Sequence, residues 1–186
     1  MMDMIGITPL CCGLIHGLSG MASISGSIIR RSLMGNYKAL EVVLWNIAIP
    51  GFGQLINEKY LKGLTLIGLE LLINMQSGLN TIIIYSFNGQ TLAATNSTNY
   101  QWLMFYPSLY LFAIWDAYRD AGGSKIPLLF LPFALSAYTG TVGVIFSSTF
   151  TIKNILLGPF WLMFCFLLIG FGLGFIIRLV VFSYHK

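Results

Sequence analysis

Charged positions in this chain stand at the margins of long apolar runs. No Asp, Glu, Lys or Arg interrupts 71–115, 126–152 or 154–177, and each run exceeds the roughly 20 residues that a membrane-spanning helix needs. The first is long enough for two crossings with a loop between them. The pattern therefore predicts an all-α integral membrane protein with about five transmembrane helices, four to five according to whether 4–29 crosses, plus a re-entrant helical hairpin.

The hairpin is predicted at Ile49-Pro50-Gly51-Phe52-Gly53-Gln54. Pro50 lacks an N–H donor, and Gly51 and Gly53 tolerate backbone angles that other residues avoid, so a helix arriving from Ala39 stops there and a second restarts near Glu58. The run 39–49 spans about 16 Å as a helix, half of an apolar core of about 30 Å. A chain that enters and returns at Pro50 places Arg30, Arg31, Lys38, Lys59, Lys62, Arg119, Lys125, Arg178 and Lys186 on one face and only Lys153 on the other. A straight crossing moves Arg30, Arg31 and Lys38 to the far side. The tendency of basic residues to remain cytoplasmic favours the hairpin and puts the C-terminus inside.

Three segments follow from this reading. Residues 1–38 form a weakly apolar N-terminal segment with a basic inner flank. Residues 39–118 hold the hairpin and two crossings, at 63–85 and 102–118, joined by an uncharged Asn- and Thr-rich outer loop at 88–101. Residues 119–186 form a C-terminal pair of crossings, 127–148 and 154–177, entered through an inner turn at 119–125. Gly158-Pro159 is expected as a kink in the last helix. Gly13-x-x-x-Gly17 and Gly170-x-x-x-Gly174 are expected as close-packing faces for other helices.

Composition strengthens the membrane reading. Of 186 residues, 56% are hydrophobic and 9% charged, with a mean hydropathy of +0.80, whereas soluble domains carry about 25% charged residues. The net charge of +4 is spread over the ends of apolar runs, which excludes a basic nucleic-acid patch. Asp3 stands where a signal peptide has its basic region, so the chain is expected to be retained whole.

The stretch 39–63 resembles the first half of TM2-like domains: an apolar run, the turn Pro50-Gly51-Phe52-Gly53-Gln54, then Tyr60-Leu61-Lys62-Gly63 ahead of a second apolar run. Small bacterial multi-pass membrane proteins with this turn and a following Tyr-x-Lys-Gly are more similar still, and Trp115-Asp116-Ala117-Tyr118 resembles a second element of theirs. The chain departs from the TM2 pattern in lacking an Asp-Arg-Phe tripeptide and in continuing for two further crossings. The resemblance implies an architecture and carries no catalytic residues, because a shared fold does not confer an activity.

Glu70 is the candidate with most chemical content, about 12 Å along its helix from Lys62. A carboxylate at that depth costs about 2.5 kcal/mol or more unless it faces protein, water or a partner. Asn74, Ser77 and Thr81 continue one polar stripe expected to face inward. One reading makes the stripe an ion or proton path or a polar substrate site. The other has Glu70 bonding Gln54 or the backbone of the Pro50 turn, and the lack of a second buried charge favours it. Asp116 and Asp120, at the inner end of their helix, are expected to pair with Lys59, Lys62 or Lys125. Cys11, Cys12 and His16 fall short of the four donors of a structural metal site, and the adjacent pair is also an acylation candidate. Asn96-Ser97-Thr98 matches the glycosylation pattern, a three-residue match with little specificity.

No nucleophile-base pair, metal cluster or phosphate loop is legible, so neither enzyme activity nor a metal or cofactor is expected. The expected partners are the lipid bilayer and, through the glycine faces, a second copy or other membrane proteins. The function expected is a non-catalytic structural or interaction component of the cytoplasmic membrane. The alternative is a small channel or transporter with Glu70 on its path.

Overall fold

The computed structural model describes residues 37–123 and 128–184. The expected crossing at 4–29, with Cys11, Cys12, His16 and the Gly13-x-x-x-Gly17 face, lies outside them. The described chain is all-α apart from one very small β-hairpin.

Helix α1 (37–48) buries Ala39, Val42 and Asn46, spaced as one helical face. It stops ahead of Pro50, and Gly51 takes φ +103°, a conformation that costs glycine little. The chain then folds back as the short helix α2 (Phe52–Ile56). A Cβ on Gly53 would stand 2.7 Å from the Val42 carbonyl oxygen and 3.0 Å from Asn46 Cγ, so the two helices touch backbone to backbone.

The single break expected here is in fact two. Glu58, where a helix was expected to restart, has φ 61° and lies in the second break, and α3 begins at Tyr60. Local hydrogen bonds set that second turn: the Glu58 amide donates to the Leu55 carbonyl at 2.9 Å and the Lys59 amide to the Gln54 carbonyl at 2.8 Å.

Helix α3 (Tyr60–Ser77) and α4 (Leu79–Phe87) replace the one crossing expected at 63–85, and they meet at 61°. The bend falls at Gly78, whose φ is +72°. The Ser77 carbonyl accepts the Asn99 amide at 3.2 Å, tying the bend to the following segment. That segment, expected as a loop, carries α5 (Thr91–Asn96) and α6 (Tyr100–Leu103). Leu79, Ile82, Ala94 and Leu103 from these elements pack with Val144 and Met163 into a buried cluster.

Helix α7 (Tyr106–Tyr118) ends in a π-helical turn, Arg119–Gly123. Helix α8 (Phe130–Phe146) leads to strands β1 (Thr151–Ile152) and β2 (Ile155–Leu156), which pair antiparallel across Lys153 and Asn154, both at positive φ as a tight two-residue hairpin requires. Helix α9 spans Gly158–Tyr184. Gly158-Pro159, expected as a kink, is its start: proline at the first turn gives up an N–H that has no helical partner there.

Helices α8 and α9 pack closely. A Cβ on Gly170 would collide with Thr139 and Ser136, and one on Gly174 with Pro132. The Ser136 hydroxyl donates to the Leu167 carbonyl at 2.6 Å and the Thr139 hydroxyl to the Phe166 carbonyl at 2.8 Å, bonds of the kind that join helices in lipid. The Gly170-x-x-x-Gly174 face is thus occupied within the chain.

Among the described residues only α9 is by itself long and apolar enough to cross a membrane, and α3 with α4 qualifies as a bent pair. Five separate spans of that kind are not reached, because α7 has 13 residues and α8 has 17. Large apolar side chains are widely exposed, among them Leu44, Leu61, Leu64, Leu71, Ile84, Leu168, Ile176 and Phe182.

Candidate functional site: a buried polar clamp

The deepest polar side chains gather where the α1–α2 hairpin meets α7. Asn46, Gln54 and Asp116 are almost wholly buried. The Asn46 Oδ1 atom accepts the amides of Gly51 at 3.0 Å and Gly53 at 2.9 Å, while Nδ2 donates to the Ala113 carbonyl at 2.7 Å and to Gln54 Oε1 at 3.3 Å. Backbone amides can only donate, so these contacts fix which amide atom is the oxygen. Asn46 therefore uses its whole hydrogen-bonding capacity to close the turn and fasten it to α7.

Gln54 repeats the move from α2. Its Nε2 donates to the Ala113 carbonyl at 2.9 Å and to Asp116 Oδ2 at 3.3 Å. Asn57 Nδ2 donates to the Ala117 carbonyl at 2.8 Å, and the Tyr110 hydroxyl donates to the Ile47 carbonyl. Taken along α7, the partners run from Tyr110 beside the apex of the hairpin to Ala117 beside its foot. The returning arm descends toward the end of α7 that bears Arg119.

Charge closes the lower end. Asp116 accepts Lys62 Nζ at 3.1 Å and Arg119 Nη2 at 2.6 Å, and Asp120 accepts the same Lys62 at 3.1 Å. Arg119 also lies over the Trp115 ring, 4.5 Å from its centroid. The two carboxylates hold the Lys62 ammonium, so its pKa is raised above the ordinary 10.5, the bond to Asp116 contributing most and that to Asp120 next. Of the lysines expected to meet the acids, Lys62 does so; Lys125 lies outside the described residues.

Glu70 stands apart from this clamp. It is half-buried, at helical spacing from the buried Leu66, Ile73 and Ser77 of α3, and α3 packs against α7, where the Tyr106 and Tyr110 rings stack at 5.6 Å. Gln54, proposed as a Glu70 partner, is instead bound to Asn46, Ala113 and Asp116. Ser77 is buried, Asn74 is half-buried, and Thr81 is exposed beyond the Gly78 bend. Asn74, Asn80 and Thr81 line a cleft of about 280 Å³ at that bend. The stripe is therefore divided: Ser77 is buried, Glu70 is half-buried, and Asn74 and Thr81 open onto the cleft.

Asn46 and Asn57 hold the clamp without having been singled out from the sequence, and Arg119 was read there only as an inner-face cation. A signal for Asn46 was present, a lone amide four residues ahead of Pro50 in an apolar run. Among the described residues no three of His, Cys, Asp and Glu gather as a metal site would require. No protein-family model, curated protein or solved structure matches the chain.

Proposed function

We propose that the chain is a multi-pass component of the cytoplasmic membrane, non-catalytic and structural or interaction-forming, with the α1–α2 hairpin re-entering from the inner face. In this arrangement the bent pair α3–α4, α7, α8 and α9 cross, giving four spans or five according to whether 4–29 crosses, and the C-terminus lies inside. The resemblance to TM2-like proteins at the Pro50 turn belongs to the same proposal.

The observation that carries it is the inverted distribution of polarity. Amides and a carboxylate fill the interior between α1, α2 and α7 while leucines, isoleucines and phenylalanines face outward. In water this arrangement exposes apolar surface that a soluble domain buries. In lipid it is favourable, because irregular backbone such as the Pro50 turn must find its hydrogen bonds within the protein. A clamp built on Asn46, Gln54 and Asp116 supplies them, and it spends those three side chains on positioning.

Two measurements test the reading. Membranes washed with alkaline carbonate should retain the protein, and crosslinking in those membranes should join it to itself or to another membrane protein. Release by carbonate sinks the membrane assignment, and a strictly monomeric, uncrosslinked protein sinks the structural role.

A second reading, a small channel or transporter, draws on the half-buried Glu70 of α3 and on the cleft at Asn74, Asn80 and Thr81. Its test is proton and cation flux in reconstituted vesicles. A flux abolished by Glu70→Gln supports it, and the absence of wild-type flux removes it.

A further inference from the structure

Helices α7 and α8 touch tightly where Gly140 and Thr141 meet the start of α7. A Cβ on Gly140 would lie 3.2 Å from the Pro107 Cβ, and the Thr141 hydroxyl donates to the Met104 carbonyl at 3.3 Å. Toward the other end they part, leaving a groove of about 300 Å³ lined by Ser108, Leu111, Trp115, Phe130, Phe133 and Ala134. The lining is almost wholly apolar, and it runs for about 10 Å along α7, from Ser108 to Trp115 at 1.5 Å per residue. Phe112 and Ala137 complete its walls.

The groove has a chemically distinct mouth. Trp115 closes its lower end, and the Arg119 guanidinium sits over that ring. The Arg119 side chain is 39% exposed, so part of it remains open to a further partner while it pairs with Asp116 and Asp120. Those carboxylates have Lys62 as a second counter-ion. Arginine matches phosphate geometry with several N–H donors at once.

We propose that this groove seats one acyl chain of an anionic phospholipid from the inner leaflet, with its phosphate at Arg119. The proposal rests on the membrane reading above, which places Arg119 on the inner face. One leaflet is about 15 Å of hydrocarbon, so an apolar slot of about 10 Å starting just beneath an interfacial arginine matches an inner-leaflet chain in depth and polarity. The basic residues that the same reading puts on the inner face add a general attraction for anionic headgroups.

The test is acyl-chain quenching of tryptophan in the full chain. In a variant with Trp45, Trp102 and Trp161 changed to Phe, Trp115 is the sole reporter, in vesicles of phosphatidylcholine doped with brominated phosphatidylglycerol or brominated phosphatidylcholine. Brominated phosphatidylglycerol should quench at a mole fraction about fivefold lower than brominated phosphatidylcholine. Arg119→Gln should bring that ratio close to one. Ala134→Phe, which fills the groove and leaves the ion pairs intact, should lower the quenching by both lipids. It also keeps the test decisive should Arg119→Gln fail to fold.

Equal quenching by both lipids in the unaltered groove, or a preference untouched by either substitution, overturns the proposal. A companion variant keeping only Trp45, which is exposed on α1, separates the two failures. If both tryptophans are quenched without headgroup preference, only the lipid site is lost. If neither is quenched by any lipid, the membrane reading falls with it.

Discussion

Asn46 shows how one residue can decide a turn. It satisfies the amides of Gly51 and Gly53 and binds the Ala113 carbonyl, all in a buried setting. A buried donor left without a partner costs about 1–3 kcal/mol. Asn46→Leu, close in size but without hydrogen-bonding groups, should therefore lower stability by about 2–4 kcal/mol, read as a fall in thermal midpoint in detergent. A midpoint within a degree of wild type would mean that the turn closes without it.

Lys62 and Arg119 illustrate shared countercharge. Lys62 is half exposed, so its pair with Asp116 taken alone is worth under about 1 kcal/mol. Lys62→Met should cost little, because Arg119 still holds the buried Asp116 carboxylate. Removing both cations should cost about 3–5 kcal/mol, far beyond the sum of the single changes, because an ionised group is then buried without a partner. Additive single and double changes in thermal melts would refute the sharing. The pH dependence has a definite sign. A raised Lys62 pKa gives stabilisation that is complete below the ordinary value of 10.5 and is lost as pH rises through the folded-state value. The thermal midpoint of the wild type should fall across that alkaline range more steeply than that of Lys62→Met.

At the scale of elements, what could be read from the chain was whatever hydropathy and backbone chemistry control locally. The stop before Pro50, the long apolar helix α9 and the close approach at Gly170 and Gly174 follow from Pro, Gly and uncharged length alone. The break at Gly78 was equally visible as a glycine, yet hydropathy runs straight through it. What bends the helix there is its junction with α5 and α6, including the bond from Asn99 to Ser77, and such a partner has no signature in a window average. The clamp was half legible for the same reason. Gln54, Asp116 and Asp120 stood out as polar groups in apolar surroundings, whereas Asn46 acquires its role only when the hairpin is laid against Ala113.

The α8–α9 contact yields a prediction at this scale. Gly170 faces α8 at a distance that admits no side chain, while a Cβ on Gly172 would meet nothing within 4 Å. Gly170→Leu should part the helices and destabilise by about 1–3 kcal/mol, as overpacking generally does. Gly172→Leu should be neutral or slightly stabilising, because it points outward and replaces a poor helix former. Equal losses at the two positions would show that α9 is not held by this face.

At the scale of the whole molecule, the fold-back at Pro50 and the exposed apolar surface carry one topological consequence. The hairpin descends along α7 from Tyr110 to Ala117, so its foot and the start of α1 belong at the same end of the bundle. Lys38 and Lys59 are both exposed there, while α3, 18 residues and about 27 Å long, carries the chain to the other end, where Ser97 lies exposed. Single cysteines at Lys38, Lys59 and Ser97, placed in a variant lacking the native cysteines, should divide two to one. A membrane-impermeant maleimide applied to intact cells should label position 97 and spare 38 and 59 until the membrane is opened. If 38 and 59 divided instead, α1 and α2 would together have to cross as one span. Breaking the Asn46 and Gln54 bonds to α7 would then leave buried amides without partners in hydrocarbon, a cost of several kcal/mol per group that such a crossing would have to offset elsewhere.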